Sequence, residues 1–219
     1  MQNHPHSKAA LAVIATLLAH ASLHAQSSTS TWTSTVSGAW ATGTNWADGF
    51  APAASDAAIV LPGQTSPLTA VEITLPPSGM TSIYGITMSS ATVNSAEFKI
   101  VGTGTLSIGS GGVTNLKNGG SSGNLWFNTA VNLAEDQTWN VISNSNPDGY
   151  GAVIVNGNLA GSGNIAKTGV GTIRFDSGNS TNWTGSLTLN AGTVYLNGTS
   201  QFNRLGTTLY QNNTSATNL

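Results

Sequence analysis

From residue 161 to 197 the chain alternates apolar and polar positions in short runs, broken by glycine, asparagine and serine. Strands are predicted at Asn164–Ala166, Gly171–Phe175, Ser186–Leu189 and Thr193–Leu196. Successive side chains on a strand point to opposite faces, so Ile173 pairs with Phe175 on one face, Leu187 with Leu189, and Val194 with Leu196. No stretch here keeps helical spacing. Strands this short cannot bury a face alone and need to stack on copies of themselves, as the coils of a β-solenoid do.

The pattern continues upstream. Strands are predicted at Ser82–Met88, Glu97–Val101, Thr103–Ile108, Gly112–Leu116, Leu125–Phe127, Ala130–Leu133, Gln137–Ile142 and Gly151–Val155. Gly109–Gly112 and Gly119–Gly123 read as tight corners. Three short strands per coil are expected, each pairing in parallel with its equivalent in the next coil, because the winding keeps one sense. The predicted class is all-β, a parallel β-helix occupying residues 78–219.

Two regions precede it. His4, His6 and Lys8 give a mildly basic start, Ala9 to Ala19 is an apolar run, and small residues follow at Ala21, Ser22 and Ala25. Residues 1–25 therefore read as a secretory signal peptide, cleaved after Ala25 or after Ala21. The run is too short to span a bilayer stably. Residues 26–31 read as a Ser/Thr linker. Residues 32–77 read as an N-terminal cap carrying Trp32, Trp40 and Trp46, with strands at Ala57–Leu61 and Ala70–Leu75. The indoles have two readings: closing the open end of the first coil, or stacking on sugar rings.

Composition narrows the chemistry. All four histidines lie at or before His24 and there is no cysteine, so the chain after the leader has no imidazole base, thiolate nucleophile or soft metal ligand. No catalytic, cofactor-binding or metal-binding residue is assigned. Charged residues make up 6% of the chain, against roughly 25% in ordinary globular proteins. Hydrophobic residues reach 39% in alternating runs, unlike the composition of disordered chains. The basic residues after the leader (Lys99, Lys117, Lys167, Arg174, Arg204) are dispersed, which argues against a nucleic-acid partner. Nothing after Ala25 reads as membrane-spanning.

One series of residues carries a family resemblance. Gly161-x-Gly163, Lys167-Thr168-Gly169-x-Gly171-Thr172-Ile173, Trp183-Thr184-Gly185, Leu187 and Leu189, then Asn190-Ala191-Gly192-Thr193-Val194 resemble the autotransporter-associated β-strand repeat, over 161–198. Leu133-x-x-Asp136-Gln137-Thr138-Trp139 resembles the segment that commonly precedes it. The Trp32/Trp40/Asn45-Trp46/Pro52/Asp56 pattern resembles the start of such proteins. Arg174 departs from the family's frequent threonine, which an exposed face tolerates. The resemblance implies a right-handed β-helix, engagement with export machinery, and secretion or display at a Gram-negative outer membrane. It carries no catalytic residues. Too few residues follow Gly198 for a membrane β-barrel, so the expectation is a truncated product or a separate translocator.

Remaining motifs have local explanations. Asn144-x-Asn146-x-Asp148-Gly149 opens like a calcium loop but has Val155 at its twelfth position, and turn chemistry accounts for it. Glu135 and Asp136 are adjacent and so point apart on extended backbone, reading as a solvated turn. Lys167 is expected at a coil corner with no particular partner. Asn182-Trp183-Thr184 and Asn197-Gly198-Thr199 match glycosylation sequons by coincidence. The leading expectation is a non-enzymatic rod for adhesion or another cell-surface contact, with glycan or a host surface as partner. The alternatives are a polysaccharide-active enzyme, which needs several carboxylates on one groove, and a glycan-binding module using Trp32, Trp40 or Trp46.

Overall fold

The computed structural model describes residues 26–60, 70–89, 97–116, 123–142, 151–176 and 182–196, and the backbone of Leu209–Gln211. The signal peptide, the 144–149 motif, Lys117, Arg204 and the second sequon lie outside these residues.

The chain begins with β1 (Thr29–Trp32) and β2 (Gly38–Ala39), continues through β3 (Ala57–Val60) and β4 (Val71–Thr74), and enters β5 (Met80–Met88). Three long strands follow the spiral around bends: β5 itself, β6 (Phe98–Asn115) and β7 (Leu125–Leu133). Then come β8 (Gln137–Val141), β9 (Val153–Val155), β10 (Leu159–Gly161), β11 (Ile165–Thr168), β12 (Thr172–Phe175), β13 (Asn182–Trp183), β14 (Leu187–Leu189), β15 (Thr193–Leu196) and β16 (Leu209–Gln211). Every pairing between these strands is parallel.

The pairings sort the strands into three stacks along one axis. The first runs β1, β3, the end of β5, the end of β6, β8, β11, β14 and β16. The second runs β2, β4, the start of β6, the start of β7, β9, β12 and β15. The third runs from the start of β5 through the middle of β6 and the end of β7 to β10 and β13. This is a parallel β-solenoid with three strands to a coil.

Register places like upon like. In the second stack Val71, Phe98, Leu125, Val153, Ile173 and Val194 form one inward column, and Ile73, Ile100, Phe127, Val155, Phe175 and Leu196 the next. Nearly all are buried, and with Leu106, Ile108, Val131, Leu133 and Leu159 of the third stack they make one continuous apolar interior. Adjacent rungs lie about 4.8 Å apart, so each side chain touches its equivalents above and below. Trp139 lies between Phe127 and Phe175, at 6.1 and 6.5 Å between ring centroids.

Coil length changes along the rod. Side chains at matching positions are 28 residues apart in the middle, as for Asn140 and Thr168, and 22 apart between Asn164 and Ser186. The shortening falls at the passage from the first stack to the second. There residues 142–152 lie between β8 and β9 in sequence, whereas one coil later only Gly169–Gly171 separates β11 from β12. The residues that resemble the autotransporter repeat are those of the short coils.

Several boundaries differ from the expectations. Gly109–Gly112 does not end a strand: β6 runs through the bend, and Gly112 takes φ +64° to allow it. The pair β10 and β13, two or three residues each, is absent from the predicted strands. Residues 26–31 are not a linker, since Thr29–Trp32 is β1 and Ser27 and Ser28 both donate to Asp56 Oδ1. No break separates 32–77 from the coils after it, because β3 pairs with β5 and β4 with β6.

The outer edge of β1 is covered by its own chain. Thr33 N donates to Asn45 O and Ala47 N to Thr31 O, so Asn45–Ala47 runs antiparallel along that edge. Trp46 anchors the arrangement. Its ring meets Trp32 and Trp40 edge-on at 5.2 and 4.9 Å, and its Nε1 donates to Trp40 O at 2.8 Å.

Replacing Ile173 by Asp would place an unpaired carboxylate in the middle of an inward column, where Val153 and Val194 are its neighbours. The variant is expected to lose the folded state, and Ile173→Ala to lose about 2–5 kcal/mol. Circular dichroism and denaturant titration check this; an unchanged transition for Ile173→Asp contradicts the placement of that column.

Candidate functional site

The signature residues of 161–198 fall into two groups with separate roles. Ile173, Trp183, Leu187, Leu189 and Val194 point inward and are buried. Trp183 Nε1 also donates to Gly163 O across one coil, at 2.8 Å. The glycines lie at bends, where the chain turns and a Cβ would point along the axis rather than in or out. A Cβ on Gly185 would run into Gly163 O of the coil before, and one on Gly192, at φ +77°, into Gly171 O. Thr168 stands on the outer side of β11, its hydroxyl 3.4 Å from Asn140 Oδ1.

Lys167, expected at a coil corner with no particular partner, has three partners in the structure. The alternation of β11 turns it inward, beside Trp139 and Leu189 in the first stack, with 0% exposure. Its ammonium donates to the carbonyls of Thr168 (2.6 Å), Gly169 (2.7 Å) and Ala191 (3.1 Å). These belong to the tight turns of two successive short coils, which have no room for peptide partners of their own. One charged group thus satisfies carbonyls that would otherwise be orphaned. Asn115 does similar work upstream, its amide donating to the carbonyls of Gly123, Gly151 and Ala152.

The described carboxylates are spread out and engaged. Asp56 accepts from Ser27, Ser28 and the Ala53 amide, and Asp48 from Ser30. Those bonds, Ser27 foremost for Asp56 and Ser30 for Asp48, hold both acids below the ordinary carboxylate range. Glu135 accepts from Ser110 N and Asp136 from Asn164 N and Nδ2, in different coils. Among the described residues no three His, Cys, Asp or Glu side chains gather as a metal site would require.

The three tryptophans of the N-terminal region are buried at 1–2% exposure and present no ring to solvent, which removes them as a sugar platform. Trp126 is among the aromatics that face outward, and no sequence motif marks it. The second stack places Glu72, Lys99, Trp126, Ile154, Arg174 and Tyr195 in one outward row along the axis. Lys99 Nζ lies 5.8 Å from the Trp126 ring centroid and the Arg174 guanidinium carbon 5.5 Å. Arg174 thus reaches across the coil of Ile154, and both cations keep acidic partners, Glu97 for Lys99 and Asp176 for Arg174. This row is a cation–π lattice tying four coils together on their outer side. Its charges are internally paired, so it offers a polyanion little attraction.

No family model matches the chain, and no curated protein and no solved structure matches it. The fold defines its class: a parallel β-solenoid around an apolar interior. No helix among the described residues is long and apolar enough to cross a membrane.

Lys167 yields a pH-dependent test. Burial lowers its pKa from 10.5 to about 8. Between those values the unfolded chain holds a proton that the folded chain lacks, so this residue adds stability as pH rises from about 8 to 10.5. Lys167→Ala is expected to cost about 2–4 kcal/mol near neutral pH, from the cavity and the abandoned carbonyls. The gap between wild type and variant is expected to widen through that alkaline window. Urea titrations across pH check both; a constant gap contradicts the buried ammonium.

Proposed function

We propose that this chain is an exported, non-enzymatic structural protein, the rod portion of an autotransporter-like passenger that meets other surfaces at a Gram-negative cell exterior. In this reading the leader of residues 1–25 hands it to the export machinery, and the solenoid winds right-handed as proteins of similar motif do. The observation that supports the reading most is the parallel stack of coils around one continuous apolar interior. Such a body supplies length and stiffness, and repeated weak contacts along it add through multivalency. Absence of cysteine suits the reading, since a chain without crosslinks passes a translocator in extended form.

A polysaccharide-cleaving activity would need two carboxylates flanking one bond. Glu135 and Asp136, the adjacent pair, bind backbone amides of separate coils, which favours a structural part for each.

Expression of the full chain in a Gram-negative host, followed by fractionation and N-terminal sequencing, tests the proposal. The expected product starts at Gln26, or at Ser22, and is found outside the inner membrane. Deleting residues 1–25 is expected to leave it in the cytosol. Recovery of the uncleaved chain from the cytosol would sink the export reading.

A further inference from the structure

A pocket of about 180 Å³ lies where the third stack turns into the first. Three successive coils and the segment before β3 build it. Tyr84 comes from the bend of β5, Gly109 from the bend of β6, Glu135 from the turn between β7 and β8, and Ala54 closes one side. At the bend of the middle coil Gly109 lets two backbones approach closely, since a Cβ there would meet the carbonyl oxygens of Ile83 and Tyr84 at 3.3 and 3.2 Å. The Tyr84 ring lies against the backbone of Gly111, where a Cβ would collide with its Cδ1 and Cε1. One wall is therefore a fixed aromatic surface.

The polar groups are placed with equal definition. Ser107 is 6% exposed and is one of the lining residues. It accepts from Asn132 Nδ2 at 3.0 Å, and among the described residues its own proton has no acceptor. A buried hydroxyl that keeps an unspent donor points to an acceptor from outside. Glu135 Oε2 is fixed by the Ser110 amide at 3.1 Å, and Ser82 adds a second hydroxyl.

From this set we infer that the pocket binds a single neutral sugar ring, the terminal or a side-branch residue of a glycan. The space is below the roughly 300–1,000 Å³ of sites for drug-sized ligands, and suits one six-membered ring. Tyr84 with Ala54 and Ala134 supplies an apolar wall for the ring's C–H face. Glu135 accepts from ring hydroxyls in charge-assisted bonds, and Ser107 donates to a ring oxygen. Glu135 is the single charged residue of the lining, and its negative charge disfavours an acidic sugar. Lacking a second carboxylate, the site binds and does not cleave. The inference names the ligand class for the surface contact proposed above and rests on that reading for its setting.

Purified protein, titrated with methyl galactoside, methyl glucoside and N-acetylglucosamine under amide-resolved NMR, tests it. At least one sugar is expected to shift Gly109 and Ser110 at millimolar concentration. Glu135→Gln is expected to weaken that binding at least about tenfold. Ser82→Trp, which plugs the pocket from its half-exposed side, is expected to abolish it with the thermal transition kept. Absence of shifts with all three sugars, shifts centred on Trp126 instead, or full binding by Ser82→Trp would each overturn the assignment. The measurement uses isolated protein, so its failure is distinct from a failure of export.

Discussion

Register between coils is the constraint on which the rest of this structure depends. In a parallel stack each residue sits on its equivalent one coil away, so a side chain is chosen to pack against its own kind. The columns Val71–Phe98–Leu125–Val153–Ile173–Val194 and Ile73–Ile100–Phe127–Val155–Phe175–Leu196 show the outcome. A slip of one residue would turn an entire strand inside out. Residues of quite different chemistry share the task of fixing that register: glycines that let one turn settle on another, Asn115 and Lys167 holding carbonyls at one corner, and Asp136 with Asn164 and Ser186 joining three coils on the outside.

Lys167 shows how the change in coil length is accommodated. In the longer coils Asn115 donates to the carbonyls of Gly123, Gly151 and Ala152. Once the passage contracts to Gly169–Gly171, carbonyls of two coils converge at a spot with no amide to meet them. An ammonium on a flexible stem reaches all three from within the core. Desolvation of the charge opposes this, which is why its pKa falls to about 8 and no further. The lysine-threonine-glycine element of the short coils is thus a way of ending a strand abruptly.

Much of the architecture is legible in the residues themselves. Alternation at Ile173/Phe175, Leu187/Leu189 and Val194/Leu196 marks the inward face directly, and turn chemistry implies the stacking. The features that escape a reading of the chain do so for physical reasons. Lys167 lies two residues after Ile165, so alternation alone turns it inward; the general rarity of buried lysine points the other way. Trp126 carries no local signal because Lys99 and Arg174 lie in other coils, and their meeting depends on a register that no local window contains. The members of the pocket beside Tyr84 span residues 54 to 135, so no local window contains it either. The segment 26–31 resembles a linker because serine and threonine also suit a strand whose outward side is wet.

The antiparallel return of Asn45–Ala47 along β1 gives the rod a polarity. A parallel ladder is open at both ends, and an identical strand could dock at either one. Here the amino-terminal lip is already occupied by backbone of the wrong direction for a further parallel rung. A second molecule therefore finds no parallel template along β1, and head-to-head docking on that strand is blocked. Growth of that stack by added rungs is thus directed away from the tryptophan cluster.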